Sequence, residues 1–139
     1  MTQLSEHFSL EELTVTSKNI DNTPTAEALQ TLKYTAKQME LVRVLLAKPI
    51  KVTSAYRSPA VNKAVGGAAS SQHLLGQAVD FTCTSFGTPR DIVLAILSSG
   101  IVFDQLICEY NSWVHISFKE TNNRKQALVI DARGTKEFK

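Results

Sequence analysis

Three residues of the sequence have the chemistry of metal ligands: His73, Asp80 and His115. His73 and Asp80 are seven positions apart with Gly76 between them, so they would meet across a turn and would not share a helix face. Zinc binds imidazole nitrogen and carboxylate oxygen, and a catalytic zinc site combines three protein ligands with an open fourth position. The sequence therefore predicts a zinc site whose third ligand is His115, from the strand-like segment 113–117.

The same residues also fit structural roles. His73 would then cap a loop, Asp80 would pair with a nearby base, and His115 would be an ordinary sheet residue. Spacing alone leaves the two interpretations equally open. The remaining histidine, His7, lies close to the start of the chain and is a weaker candidate ligand.

The segment 77–82 is expected to be the strand that positions Asp80. Alternate side chains of a strand point to opposite faces. Ala78 and Asp80 would therefore share one face, while Val79 and Phe81 would fill the core. The small Ala78 side chain leaves room beside the carboxylate for a larger group such as a metal ion.

The other segments predict an α+β domain. A capping box at Ser9–Glu12 begins a short helix, apolar periodicity predicts a long helix over 25–47, and a further helix runs from Thr88 to the glycine at position 100. Strand patterns occupy 50–54, 77–82, 104–109, 113–118 and 127–131, and 59–65 is expected to form one or two helical turns. Because the helices come first and hairpin-connected strands last, we expect an antiparallel sheet with helices packed on one side.

Composition limits the class of partner. The 139 residues are 43% hydrophobic, which suffices for one core and predicts a single domain over 1–139. The 15 basic and 13 acidic side chains give a formal charge of +2, so the sequence lacks the basic surface of a protein that binds nucleic acid or an anionic membrane. A local site for a small substrate or a polymer is favoured.

The compartment is predicted from the absence of targeting patterns. The amino terminus lacks the pattern of a signal peptide, and no run of about 18 apolar residues predicts membrane insertion. Cys83 and Cys108 lie in apolar, strand-like segments and are expected to be buried free thiols in a reducing compartment, although a disulfide between them is an alternative. We therefore expect a cytoplasmic product.

Two motifs together resemble the zinc D-alanyl-D-alanine carboxypeptidase family. They are S-x-H-x-x-G-x-A-x-D at 71–80 and W-V-H at 113–115. The stretches FSLEEL at 8–13 and VTSAYRSP at 52–59 are similar to segments that precede the motif in the phage and prophage branch. The resemblance implies a fold shared with the hedgehog signalling domain and an activity on peptidoglycan.

The resemblance also implies roles for individual residues. His73, Asp80 and His115 would be the zinc ligands, and Arg57 would hold the carboxylate of the substrate. A guanidinium matches a carboxylate with two parallel hydrogen bonds, which is consistent with that role. Without the resemblance, Arg57 would be interpreted as a solvated surface residue.

A hydrolytic zinc site also needs a general base, and Glu109 is the predicted one. Many relatives carry an acid three residues before the second histidine, where this chain has Ser112. A two-residue hairpin loop would pair Glu109 with Val114 and aim it away from His115. A three-residue loop would pair it with Trp113 on the face of the histidine, and the resemblance favours this register. A solvated strand glutamate is the alternative.

Two further residues are candidates for substrate binding. Ser71 could donate a hydrogen bond to substrate or to Asp80, although a loop serine often serves local turn chemistry. Trp113 could line the substrate channel, or it could pack within the sheet. Asp104 and Asp131 are alternative candidates for the general base, but their positions in the sequence do not favour that role.

The expected function is zinc-dependent hydrolysis of amide bonds in peptidoglycan stem peptides, as a carboxypeptidase or as an endopeptidase of the endolysin type. The protein would act as a monomer and reach the wall after lysis or through a membrane pore, or travel in a virion. Because of Ser112, a phage structural or wall-binding module with a non-catalytic zinc site is the alternative. A metal-free interaction domain is a third possibility.

Overall fold

The computed structural model describes residues 2–138, which form four α-helices, one 3₁₀ helix and six strands. The helices are α1 (Leu10–Leu13), α2 (Ala26–Leu46), α3 (Pro59–Ala64) and α4 (Pro89–Leu97), and the 3₁₀ helix is Gln72–Leu75. The strands are β1 (Lys51–Ser54), β2 (Ala78–Thr82), β3 (Gln105–Glu109), β4 (Trp113–Ser117), β5 (Gln126–Asp131) and β6 (Gly134–Glu137).

Side chains at the helix starts fix where the helices begin. The Ser9 hydroxyl accepts a hydrogen bond from the Glu12 backbone N–H, and the Glu12 carboxylate accepts one from the Ser9 N–H. Thr88 and Asp91 form the same reciprocal pair at the start of α4. Each capping box satisfies two backbone donors that the first turn leaves unpaired. Both predicted helix starts are confirmed.

The sheet has the order β1-β2-β4-β3-β5-β6. All neighbouring strands pair antiparallel except β3 and β5, which are parallel. The predicted α+β class with a mainly antiparallel sheet is confirmed. The parallel pair arises because the connection 118–125 leads from β4 past β3, so that β5 pairs with the other edge of β3.

Two local elements differ from the sequence prediction. Strand β6 was not predicted, because its sequence GTKE has no apolar alternation and all four residues are exposed. His73 was expected in a loop, but it lies in the 3₁₀ helix. Neither element buries a periodic apolar face, so the sequence of neither contains the hydrophobic periodicity from which secondary structure is predicted.

The core lies between one face of the sheet and the two long helices. Both helices and the sheet contribute apolar side chains with at most 2% exposure: Leu32, Met39 and Val42 of α2, Ile92 and Ile96 of α4, and Val79, Phe81, Val114 and Ile116 of the sheet. The intervening residues of β2 and β4 point to the opposite face. That face carries Asp80 and His115.

Two other predictions concern the cysteines and the membrane. Cys83 and Cys108 are buried and free, as expected, with Cys83 one residue beyond β2. Within 2–138, no helix has both the length and the apolar character needed to cross a lipid bilayer.

Candidate metal centre

Strand pairing places two of the predicted ligands side by side. Asp80 in β2 is the direct partner of His115 in the antiparallel neighbour β4. The residues that flank Asp80, Val79 and Phe81, and those that flank His115, Val114 and Ile116, are fully buried in the core. Since side chains alternate along a strand, the carboxylate and the imidazole both project from the face opposite the core.

The third predicted ligand is brought over this face by the 3₁₀ helix. The Ser71 hydroxyl accepts a hydrogen bond from the His73 N–H at the start of this helix, and Gly76 ends it in the left-handed conformation with φ 78°. The His73 carbonyl accepts a hydrogen bond from the Arg57 N–H at 3.0 Å. His73 Nδ1 lies 2.6 Å from the Ala55 carbonyl oxygen. This contact fixes the ring so that Nε2 faces Asp80.

The ligand atoms of His73, Asp80 and His115 all lie within 4.8 Å of one another. His73 Nε2 is 3.3 Å from Asp80 Oδ2, and His115 Nδ1 is 2.9 Å from Asp80 Oδ1. The three residues are 3%, 7% and 9% exposed, respectively, so the group is enclosed. Two nitrogens and one oxygen are a donor set that zinc accepts, and the spare His73 nitrogen on a backbone carbonyl is the usual arrangement for a ligating histidine.

The charge state of Asp80 suits a ligand. Burial opposes ionisation of its carboxyl group, but hydrogen bonds from His115 and His73 hold the pKa of Asp80 well below its ordinary value. The carboxylate is therefore charged at neutral pH, which is the form that binds a cation.

Arg57, to which the family resemblance assigns the substrate carboxylate, lies beside this group. Its Nη2 is 3.6 Å from Asp80 Oδ2, and its Nε donates a hydrogen bond to the Ser54 hydroxyl. The side chain is 18% exposed, so the guanidinium is partly shielded from solvent while remaining reachable. The interpretation of Arg57 as a freely solvated surface residue does not fit this environment.

Glu109 is on the same face as the histidine. It pairs directly with Trp113 across the β3–β4 hairpin, which is the three-residue-loop register. Its Oε1 lies 3.9 Å from His115 Nδ1, and its side chain is 19% exposed. Burial and then the nearby Asp80 carboxylate raise the pKa of Glu109, against the opposing effect of His115 and Arg57.

The remaining candidates have local partners. The Ser71 hydroxyl caps the 3₁₀ helix, and the Trp113 ring lies 5.8 Å from that of Tyr110, centroid to centroid. The buried Trp113 Nε1 has no hydrogen-bond partner among residues 2–138. The roles of Ser71 and Trp113 toward a substrate stay predictions. Asp104 is fully buried against Arg124, which accounts for this acid without a role in catalysis.

Two contacts, one of His7 and one of Arg57, were not predicted from the sequence. His7 forms an exposed group with Glu40, whose Oε1 is 2.6 Å from His7 Nδ1. Asn62, in α3, is buried and accepts a hydrogen bond from Arg57 Nη1 at 3.4 Å. An isolated asparagine in a short helix carries no motif, so no sequence signal could have identified this contact.

Comparison with known proteins identifies the family of the chain. The search of curated proteins found no match to the chain. A sequence profile of the family described as Peptidase M15 matches residues 6–117, which include every residue of the group described above. Enzymes of this family are in general zinc-dependent, in agreement with the histidine and aspartate cluster. The chain therefore belongs to the peptidase M15 family.

Proposed function

We propose that this protein is a zinc metallopeptidase that hydrolyses amide bonds in the stem peptides of peptidoglycan. The observation that carries the proposal is the convergence of His73, Asp80 and His115, with all ligand atoms within 4.8 Å. Glu109 and Arg57 flank this group within 4 Å of its members. Family membership supports peptidase chemistry.

His73 Nε2, Asp80 and His115 Nδ1 would hold the metal ion. Zinc in such a site acts as a Lewis acid toward the scissile carbonyl and brings the pKa of water toward neutrality. The Ala55 carbonyl fixes the orientation of the His73 ring. The strand pair β2–β4 fixes Asp80 and His115, so the three ligands are preorganised by backbone.

Glu109 would act as the general base. Its carboxylate accepts a proton as water adds to the carbonyl carbon, and returns that proton to the amine when the carbon–nitrogen bond breaks. The position of the carboxylate near His115 Nδ1, at 3.9 Å, supports this role. Its partial burial keeps the transferred proton away from bulk solvent.

Arg57 would recognise a carboxylate of the substrate. A stem peptide ends in a carboxylate, and a partly buried guanidinium binds such a group in a fixed geometry. Because Arg57 lies 3.6 Å from Asp80, the recognised carboxylate must be close to the bond that is cut. Both D-alanyl-D-alanine carboxypeptidase and endopeptidase substrates meet this requirement. We further propose that the protein acts as a monomer, on wall material reached by lysis, through a pore or from a virion.

A non-catalytic zinc module for phage structure or wall binding is the alternative that Ser112 keeps open. Against it, Glu109 lies on the histidine face of the hairpin, where it would take the place of the acid that position 112 lacks. A pure binding module would not require a carboxylate at this place.

The proposal is tested by mass spectrometry of muropeptides digested with zinc-loaded protein. We expect the wild type to release alanine or shorter peptides and His73→Ala to release none. His7→Ala is the matched control, because this exposed histidine bonds Glu40 away from the cluster, and it should retain activity. A wild-type protein that holds stoichiometric zinc and cleaves no stem amide would contradict the proposal.

A further inference from the structure

We propose that Asn62 is a positioning residue that orients the Arg57 guanidinium for the substrate carboxylate. The inference rests on the proposed peptidase function and adds a residue to which that function assigns no role. It is based on the contacts of Arg57, on the anchoring of Asn62 and on the space around Gly67.

Each of the three guanidinium nitrogens of Arg57 faces a different neighbour. Nε donates to the Ser54 hydroxyl at 3.2 Å, Nη1 donates to Asn62 Oδ1 at 3.4 Å, and Nη2 lies 3.6 Å from Asp80 Oδ2. A guanidinium has five N–H donors, and two of them are used in these hydrogen bonds, so three N–H groups remain for a ligand. Contacts on all three nitrogens fix both the position and the rotation of the planar group.

Asn62 is held rigidly enough to orient another side chain. It is 4% exposed, and its Nδ2 donates to the Ala68 carbonyl at 3.0 Å. Its backbone N–H donates to the Ser58 carbonyl, and its carbonyl accepts from the Gly67 N–H. Because Nδ2 is committed to Ala68, the amide oxygen is directed at Arg57.

The space around Gly67 is consistent with this arrangement. A Cβ atom at this position would lie 2.1 Å from Asn62 Oδ1 and 3.0 Å from Arg57 Nη1. Any larger residue would therefore displace the amide or the guanidinium. The backbone of Gly67 needs no left-handed conformation, so its small size is the property that this contact requires.

The neutral amide of Asn62 also affects the charge around Arg57. A neutral oxygen accepts one N–H of Arg57 and adds no second carboxylate to the guanidinium, which already lies 3.6 Å from Asp80 Oδ2. A carboxylate at position 62 would instead pair with the guanidinium and compete with the substrate. Asn62 thus fixes Arg57 without adding a negative charge that would compete with the substrate.

The test compares two substrates that differ in one group. The first substrate is the stem peptide that the wild type cleaves, which is either the pentapeptide ending in D-alanyl-D-alanine or the cross-linked dimer. The second is the same molecule with the recognised carboxylate converted to an amide. We expect the wild type to prefer the carboxylate form. In Asn62→Ala, loss of one hydrogen bond to a charged group should raise KM for this form roughly tenfold. The kcat value and zinc content should change less than about threefold, and the preference should fall by the same factor as KM rises.

Two further variants separate positioning from a general loss of structure. Gly67→Ala keeps the amide but displaces it, and should reproduce the KM effect. In Arg57→Ala the preference for the carboxylate form is lost, and adding Asn62→Ala should then cause no further loss, because both changes remove one interaction. Asn123→Ala is the matched control, since within 2–138 the side chain of this asparagine forms hydrogen bonds with the Lys119 backbone alone. Its KM and preference should equal those of the wild type.

The experiment distinguishes failure of the proposed peptidase function from failure of the role proposed for Asn62. If wild-type protein cleaves neither stem substrate, the proposed function is wrong and the inference falls with it. If the wild type cleaves one but Asn62→Ala and Gly67→Ala retain its KM and its preference, the inference alone is wrong. Equal lowering of activity on both substrate forms would show a merely structural role and would also overturn it.

Discussion

Glu109 stands directly opposite Trp113 in the β3–β4 hairpin. The intervening loop turns through Tyr110 and Asn111, which adopt left-handed conformations with φ 53° and 45°. This register aims the Glu109 carboxylate at the face of the sheet that carries His115. A shift of one residue would direct it to the opposite face.

Glu109→Gln should therefore abolish turnover without loss of zinc. The amide cannot accept a proton, and removal of a general base costs about 10²–10⁴ in rate. The measurement is kcat on muropeptide substrate, with zinc content determined on the same sample. Glu137→Gln, on the exposed strand β6, is the matched control and should keep full activity. Retained turnover in Glu109→Gln would exclude this residue as the base.

Gly76→Ala should destabilise the fold more than Gly100→Ala. Both glycines have left-handed φ angles, of 78° and 82°, so both substitutions strain the backbone by about 1 kcal/mol or more. At position 76 the new Cβ would also lie 3.0 Å from the Ala28 carbonyl oxygen, whereas position 100 is open. We expect about 3 kcal/mol for Gly76→Ala and about 1 kcal/mol for Gly100→Ala in urea unfolding. Equal losses would show that α2 does not confine the turn.

The ion pair between the buried Asp104 and the half-exposed Arg124 should make the protein acid-sensitive. Burial opposes ionisation of Asp104, but hydrogen bonds from Arg124 lower its pKa to about 2. A lowered pKa means that the stabilisation is complete above the unfolded value near 4 and is lost as the pH falls toward 2. The measurement is the free energy of unfolding between pH 5 and pH 2.

Asp104→Asn tests the origin of that sensitivity. The variant cannot ionise, so it should be less stable at pH 5 and should lose less stability between about pH 4 and 2. Asp131→Asn is the control, because its partner Arg133 is 86% exposed and an exposed pair adds little. An identical pH dependence in wild type and Asp104→Asn would contradict the assignment.

The sequence predicted those parts of the site that depend on strand periodicity. Asp80 and His115 share a face because both strands alternate, and this follows from the pattern of buried neighbours. The approach of His73 depends instead on tertiary contacts, such as the hydrogen bond from the Thr35 hydroxyl to the Gly76 carbonyl. Spacing along the chain contains no information on such contacts, which is why the residues alone left two interpretations open.

Other features left no readable pattern. Strand β6 is polar and exposed, and the parallel pairing of β3 with β5 depends on the path of a connection with no regular structure. Asn62 is buried by the loop that follows α3, and its contact with Arg57 joins residues five positions apart without a repeating motif. These features are set by packing of the whole chain.

The most direct test of the account is zinc binding by His73→Ala, Asp80→Ala and His115→Ala. The measurement is metal content per chain after dialysis, with His7→Ala as the control. We expect one zinc ion per chain in the wild type and in the control. Each of the three ligand variants should retain little zinc, because the remaining two ligands bind it weakly. Stoichiometric zinc in all three variants, or none in the wild type after refolding with zinc, would contradict the account.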